Sequence, residues 1–293
     1  MKQLKRNLIT WRKKYSKKMK KGKVVSKKED FQMLITPEQV DQYFKSESAK
    51  LAERVCKQLS SPGQQQGISM TEFCAFRDHL YMIIIFSNGC RSGVPANMTI
   101  NEFESARKTA QGYVIEVHDH KTDYSFGPYG ITLSNDDFSM LNVFVKFARP
   151  QIFPKEPLVF LSFRGNPQTG GDISTRLNSL FKKAGVRENE KLPKNWCVNI
   201  IRKSVSTLFR EEGDNAMMQS VCDTMCHSEQ TAKDHYWARA REKAVAEGSA
   251  AIRKMFLVSI IFNITKLQLL FLIYNNMETI WKHFYKYANI LLL

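Results

Sequence analysis

The sequence predicts an α+β fold that is mostly helical and contains a small antiparallel sheet. Helix signals dominate, and the clearest is Ser69-Met70-Thr71-Glu72, a capping box followed by a wide apolar helical stripe. Strand signals are confined to one place, where residues 113–118 alternate and residues 130–133 suit an antiparallel partner. No internal repeat is visible, so the pattern favours a helical domain with a single small sheet.

The first two helices begin at capping boxes. Thr36-Pro37-Glu38-Gln39 combines a Thr cap, Pro at the first helical position and Gln39 closing the box, and we expect this helix to run to about Leu59. Residues 60–66, which begin Ser-Ser-Pro-Gly, indicate a linker. The helix after Ser69 is expected to end at Ser87-Asn88-Gly89 by turn chemistry.

The later elements follow from caps and breakers. Residues 119–128 form the connection of the predicted hairpin, and Asn135-Asp136-Asp137 caps the next helix. Residues 158–161 are a short apolar run that suits a strand or an extended piece. Four further helices are predicted, at residues 174–183, 199–211, 215–224 and 229–248.

Positive charge is concentrated at the start of the chain. The 293 residues carry a net charge of +16, and residues 1–28 hold 13 of the 44 Lys+Arg with no Asp or Glu. We therefore predict that residues 1–34 form a basic, disordered arm, compatible with phosphate binding and with a nuclear-import signal. The lysines of this arm that we assign to DNA phosphates are Lys13, Lys14, Lys17, Lys18, Lys20 and Lys21. A membrane-surface segment is less favoured, because its apolar residues are few.

The six cysteines show no paired spacing, which indicates a reducing compartment rather than a disulfide framework. Cys222, Cys226, His227 and His235 lie close enough in sequence to be weighed as zinc ligands, but no second pair follows at finger spacing. We therefore prefer to interpret Cys222 and Cys226 as small buried apolar residues, and we predict no metal and no cofactor.

The last segment, residues 257–293, has no Gly or Pro and is rich in Leu, Ile, Phe and Tyr. A stretch within it has the length of a bilayer span, but Asn263, Lys266 and Gln268 make it a poor one. We interpret the segment as an apolar tail and keep a membrane-tethered basic protein as the less favoured alternative.

Five residues together have the chemistry of metal-free phosphodiester cleavage: Arg91, Lys121, Arg202, His227 and Tyr236. Arginine forks match phosphate oxygens in pairs and neutralise their charge. A lysine can protonate a leaving oxygen, and a tyrosine can attack as a phenolate and store the bond energy as a phosphotyrosine. Each residue alone is more often an ordinary surface or core side chain, so the prediction depends on the five occurring together.

Their order and local context resemble the catalytic set of the tyrosine recombinases, or phage-type integrases. Arg91 follows an Asn-Gly-Cys turn, Lys121 lies on the hairpin, and Arg202 ends an Asn-Ile-Ile-Arg box. His227 lies in Cys226-His227-Ser228, nine residues before Tyr236. The resemblance covers roughly residues 65–250 and implies that both arginines and His227 bind the scissile phosphate. It further implies that Lys121 is the general acid and that Tyr236 forms a 3′-phosphotyrosyl intermediate.

The resemblance implies double-stranded DNA as substrate, a homo-oligomer on DNA and an integrase-like protein carried by mobile elements in animal genomes. With the basic arm as an import signal, we expect the nucleus as its location. Residues 35–62 would be a helical remnant of the N-terminal core-binding domain, with its linker. Asn199 stands where the family box has a histidine, and Val94 stands where an acid is frequent. Asn199 is retained as a possible auxiliary residue, but it cannot exchange a proton at neutral pH. The alternative is a DNA-binding protein on the same fold that has lost catalysis.

Overall fold

The computed structural model describes residues 4–16, 33–61, 67–186, 196–212, 217–235, 245–251 and 254. The chain divides into two units, Met1–Arg239 and Ala240–Leu293. The first unit contains the sheet and most of the helices. In the second unit, the described residues 245–251 and 254 are helical and exposed, and the predicted tail at 257–293 lies outside the described residues.

The first unit is mostly helical with a small antiparallel sheet, which confirms the predicted fold class. The helices are α1 (4–16), α2 (Pro37–Phe44), α3 (Glu47–Ser60), α4 (Met70–Asn88), α5 (Gly93–Asn97), α6 (Ile100–Glu104), α7 (Asp123–Phe126), α8 (Asn135–Val143), α9 (Gly170–Lys183), α10 (Trp196–Glu212), α11 (Met218–Thr224) and α12 (Glu229–His235). A π turn at Phe144–Ala148 and a 3-10 turn at Arg149–Ile152 extend α8.

The sheet has three strands, in the order β1 (Arg107–Thr109), β2 (Gly112–Val117) and β3 (Tyr129–Leu133). Strands β2 and β3 are the predicted antiparallel pair, in a register that sets Tyr113 opposite Leu133. Strand β1 was not predicted. All three of its residues are exposed, so it lacks the apolar alternation from which strands are recognised.

The N-terminal part of the chain differs from the prediction in two ways. Residues 4–16 form α1 rather than a disordered segment, since they contain no Gly or Pro and are rich in good helix formers; all their side chains are exposed. The helix that begins at Thr36 ends at Phe44 instead of Leu59. A new helix begins there because the Ser46 hydroxyl accepts from the Ala49 N–H and caps α3.

Helices α2 and α3, which we predicted as a remnant separate from residues 65–250, pack against the elements that follow them. Their buried side chains share one apolar core with α4, the sheet and α9. The Tyr43 hydroxyl lies 2.9 Å from Nδ1 of His79 on α4. The N–H of Ile35 donates to the Ser204 hydroxyl on α10 over 2.7 Å. Helices α2 and α3 are therefore packed onto α4 and α10 in the first unit, and the predicted domain boundaries stay predictions.

The C-terminal helices of the first unit lie close to their predicted places. Helix α9 begins at Gly170, earlier than expected, because Thr169 and Asp172 form a capping box. The run at 158–161 is extended, with isolated bridges at both ends, Thr99 to Leu158 and Leu161 to Pro167. The helix predicted over 229–248 is described as α12 and as residues 245–251, separated by residues outside the described set. Among the described helices, none is long and apolar enough to cross a membrane.

Candidate active site

Arg91 stands three residues beyond the end of α4, on a turn that the sheet holds in place. Asn88 donates to the Thr132 carbonyl of β3 and accepts from the Thr132 N–H over 3.1 and 2.7 Å. The buried Tyr129 hydroxyl donates to the Asn88 carbonyl over 2.8 Å. Gly89 then turns the chain at φ 55°, a left-handed conformation that suits glycine. These contacts fix the turn from which the half-buried Arg91 side chain extends.

Arg202 of α10 is 1% exposed and joins two distant turns. One terminal nitrogen donates to the Gly89 carbonyl, beside Arg91, and the other donates to the Met225 carbonyl over 3.1 Å, beside His227. The two turns also lie close together, because a Cβ added at Gly89 would come within 3.2 Å of the Met225 side chain. The guanidinium therefore holds the Arg91 turn and the His227 turn together, and we call this pair of hydrogen bonds the clip. We predicted Arg202 as a phosphate ligand, and the structure shows its terminal nitrogens bonded to carbonyls.

His227 lies on the turn between α11 and α12 and is 3% exposed. Its N–H donates to the Cys222 carbonyl over 3.1 Å. The preceding residue, Cys226, has φ 47°, a conformation that costs a residue with a side chain about 1–2 kcal/mol. Burial lowers the pKa of the His227 imidazole, and the positive charges of Arg202 and Arg91 lower that pKa further. His227 is therefore neutral at pH 7, beside two cations.

Lys121 lies on the hairpin loop, which we define as residues 119–128, and its side chain is exposed. The next residue, Thr122, connects this loop to the first arginine, because Nη1 of Arg91 donates to the Thr122 hydroxyl over 3.1 Å. His120 supports the loop from inside, with Nε2 lying 2.9 Å from the Gly127 carbonyl oxygen. Lys121 is thus flanked by two residues that fix the loop next to Arg91.

Asn199 is exposed on α10, one turn before the buried Arg202. It remains a possible auxiliary residue on the solvent side of the clip. Tyr236 directly follows α12 and lies outside the described residues, as do Lys17, Lys18, Lys20 and Lys21 of the arm. Lys13 and Lys14 are on α1, with exposed side chains. Of the five predicted site residues, the structure thus brings Arg91, Arg202 and His227 together and sets the Lys121 loop beside them.

Sequence reasoning missed the residues that support the site. Thr122 is a single polar residue next to Lys121, and nothing in the sequence indicates that it reaches Arg91. The two groups that Arg202 binds are backbone carbonyls, which every residue has, so the residue types give no indication of them. Tyr129 alone had a clue, because an aromatic residue at the start of a strand commonly packs inward. Its burial raises the pKa of its phenol well above the ordinary value, so this tyrosine is a structural hydrogen-bond donor.

The thiols near the site are buried, which was predicted for Cys222 and Cys226 but not for Cys90. Cys90 precedes Arg91, and burial raises the pKa of its thiol to about 12. Burial also raises the pKa of Cys226, although the nearby charges of Arg202 and Arg91 oppose this shift. Across the described ranges, no three His, Cys, Asp or Glu side chains are grouped so that they could hold a metal ion. Cys90 and Cys226 are thus buried residues, one on each of the two turns.

Several solved structures are similar to this chain, and they are recombinases and integrases. The XerA recombinase is 14% identical, with a TM-score of 0.45, and the match covers 73% of this chain and 64% of that protein. The XerH site-specific recombinase, bound to a palindromic difH substrate in a post-cleavage complex, is 17% identical, with a TM-score of 0.49 and coverages of 75% and 53%. The Tn1549 transposon integrase, in complex with transposon right end DNA, is 20% identical, with a TM-score of 0.41 and coverages of 73% and 65%.

This chain thus spans between about half and two thirds of the length of these three proteins. No protein-family model matches the sequence, and no curated protein matches it.

Proposed function

We propose that this chain cleaves and rejoins DNA strands through a 3′-phosphotyrosyl intermediate on Tyr236, without a metal ion. The observation that carries the proposal is the convergence of three segments that are far apart in sequence. Arg91, Arg202 and His227 meet because Arg202 binds the carbonyls of Gly89 and Met225. Two cations and a neutral imidazole around one point suit a scissile phosphate, whose negative charge they would stabilise.

Each residue has a role that its surroundings support. Arg91 is half-buried and would bind the phosphate, and Arg202 would add charge while it holds the two turns in register. His227 is neutral, so one ring nitrogen can donate a hydrogen bond to a phosphate oxygen. The exposed Lys121 would protonate the leaving 5′ oxygen. Tyr236 follows the helix that begins two residues after His227, and would attack the phosphorus as a phenolate.

The alternative is a recombinase relative that binds DNA without cutting it. Two observations favour it: both terminal nitrogens of Arg202 are bonded to carbonyls, and the exposed Asn199 cannot exchange a proton. In this case the arginines would only position the DNA backbone and would take no part in cleavage. DNA affinity would then come mainly from phosphate contacts that carry no sequence information.

Covalent trapping distinguishes the two functions. The full chain is incubated with a random library of nicked duplexes in the presence of a chelator, and a denaturing gel is searched for a protein–DNA adduct. Tyr236→Phe is the test variant. Tyr113→Phe is the matched control, because this ring stacks on Phe138 at 3.9 Å and keeps its packing without the hydroxyl. An adduct that Tyr236→Phe abolishes and Tyr113→Phe retains supports the enzyme. Salt-sensitive binding without any adduct establishes the non-catalytic alternative.

The proposed substrate is double-stranded DNA, and a second copy of this chain is the proposed partner, since exchange of strands joins two duplexes. The proposed compartment is the nucleus, to which the basic residues 1–28 would direct the protein. The mass of the complex on DNA, measured by light scattering, tests the oligomer. A fusion of residues 1–28 to a fluorescent protein tests the import signal, and cytoplasmic fluorescence would argue against it.

A further inference from the structure

The hairpin loop presents an aromatic ring wholly to solvent. Tyr124 is 102% exposed, so its ring packs against nothing in the described part of the chain. Phe126, two residues later, is 46% exposed, and Lys121 is exposed at the start of the same loop. Aromatic side chains bury a large apolar area when they find a partner, so an uncovered ring beside a cation indicates a surface that binds something flat.

The loop holds this ring on a fixed support. The Thr122 carbonyl accepts from the N–H groups of Ser125 and Phe126, both over 3.0 Å, and the Asp123 carbonyl accepts from Gly127 over 2.8 Å. The entry to the loop is tied as well, because Nδ2 of Asn97 donates to the Asp119 carbonyl over 3.0 Å. Because these bonds already hold the backbone beneath the ring, the loop loses little backbone freedom when the ring binds, which favours affinity.

The ring also lies close to the candidate active site. Thr122 is 3.1 Å from Nη1 of Arg91, and two residues of chain span at most about 7 Å. Successive base pairs of a duplex are about 3.4 Å apart. A phosphate held by Arg91 would therefore have the Tyr124 ring within a few base steps of it.

We infer that Tyr124 is a stacking platform for a nucleobase that becomes unpaired next to the cleavage step. The inference rests on the proposed function, because it takes Arg91 as the residue that marks the scissile phosphate. When a strand is cut and moves to another duplex, the bases at the cut lose their partners. An exposed ring stabilises such a base by stacking, whatever its identity, because every base has a π face.

The same loop provides a positive charge for the phosphate that accompanies this base. Lys121 is exposed three residues before Tyr124, and a nucleotide brings one phosphate along with its base. Phe126 is partly covered and supports the turn, whereas Tyr124 is the ring that is free to stack. The loop thus carries an exposed cation and an exposed ring three residues apart in sequence.

The test compares a short duplex with a few unpaired bases at its centre against the same duplex fully paired. One unpaired base is 2-aminopurine, whose fluorescence falls when it stacks, and anisotropy gives both dissociation constants. The full chain carries Tyr236→Phe throughout, so that no strand is cut. Tyr124→Ala is compared with Tyr124→Phe, which keeps the ring. Phe153→Ala is the matched control, since this ring is 85% exposed elsewhere in the same unit.

We expect Tyr124→Ala to weaken binding to the unpaired DNA about 5- to 150-fold while binding to the paired duplex is unchanged. Quenching of 2-aminopurine should disappear with it, and Tyr124→Phe and Phe153→Ala should behave as the parent protein. Equal affinity of Tyr124→Ala and the parent for the unpaired DNA, with the paired duplex still bound, overturns the stacking role and leaves the proposed function standing. Failure of the parent protein to bind either DNA overturns both.

Discussion

Replacing Arg202 by lysine tests whether the clip between the two turns organises the site. Lysine keeps the positive charge, but its single ammonium cannot reproduce the planar fork that binds the Gly89 and Met225 carbonyls together. At least one buried carbonyl then loses its donor, which costs about 1–3 kcal/mol of unfolding free energy. The Arg91 turn also loses its anchor, and a displacement of about 1 Å can reduce a rate by about 100-fold.

The assay has two parts, urea unfolding and the rate of adduct formation on DNA recovered by trapping. Arg107→Lys is the matched control, because Arg107 forms an exposed ion pair with Glu116 and its change should shift the unfolding free energy by less than about 0.5 kcal/mol. Both Arg202→Lys measurements should fall while binding through the basic arm persists. The clip would be refuted by an Arg202→Lys protein that is as stable as Arg107→Lys and forms the adduct at the parent rate.

Three further outcomes follow from the structure. At Cys226, where φ is 47°, the glycine variant should have an unfolding free energy about 1 kcal/mol higher than the alanine variant. At Cys222, inside α11, the alanine variant should be the more stable one. If urea unfolding ranks the two variants alike at both positions, the backbone strain at Cys226 is contradicted. Burial lowers the pKa of His79 to about 4, so between pH 6.5 and 4 the unfolded chain binds a proton that the folded chain does not. The unfolding free energy should therefore fall by about 3 kcal/mol as the pH drops through that window. The variant His79→Gln should flatten this pH dependence, and an equal dependence in both proteins would exclude His79 as its source. Deleting residues 1–28 should reduce the slope of log affinity against log salt by about 5 if six arm lysines contact phosphates, and an unchanged slope would show that they do not.

Local signals predicted much of the fold. The capping boxes at Thr36 and Ser69 begin the helices they were expected to begin, and the hairpin partners pair as predicted. The break at Ser46 was missed, although Ser46 is itself a good cap, because the apolar spacing continues through it. Strand β1 and helix α1 were missed because both are exposed, and periodicity identifies only elements with a buried face.

The site was predicted as a set of residues rather than as a geometry. Arg91, Arg202 and His227 could be named from their local contexts, but the clip that unites them is made of backbone carbonyls, which every residue possesses. The link from Thr122 to Arg91 joins residues 31 positions apart, and no local pattern encodes such a contact. The complete burial of Arg202 also departs from expectation, since arginine is rarely buried without partners, and its partners are set only by the folded backbone.

The shared core of α2, α3 and α4 determines where this protein can be truncated at its N-terminal end. Tyr43, Ala52, Val55 and Leu59 are buried in that core, and Tyr43 also contacts the ring of Phe181 on α9. A fragment beginning at residue 65, at the limit of the family resemblance, would leave an apolar face uncovered along α4, and such faces cause association. Helices α2 and α3 therefore cover an apolar face of the unit that contains the candidate site, and a fragment of this unit that does not associate has to begin before Ile35.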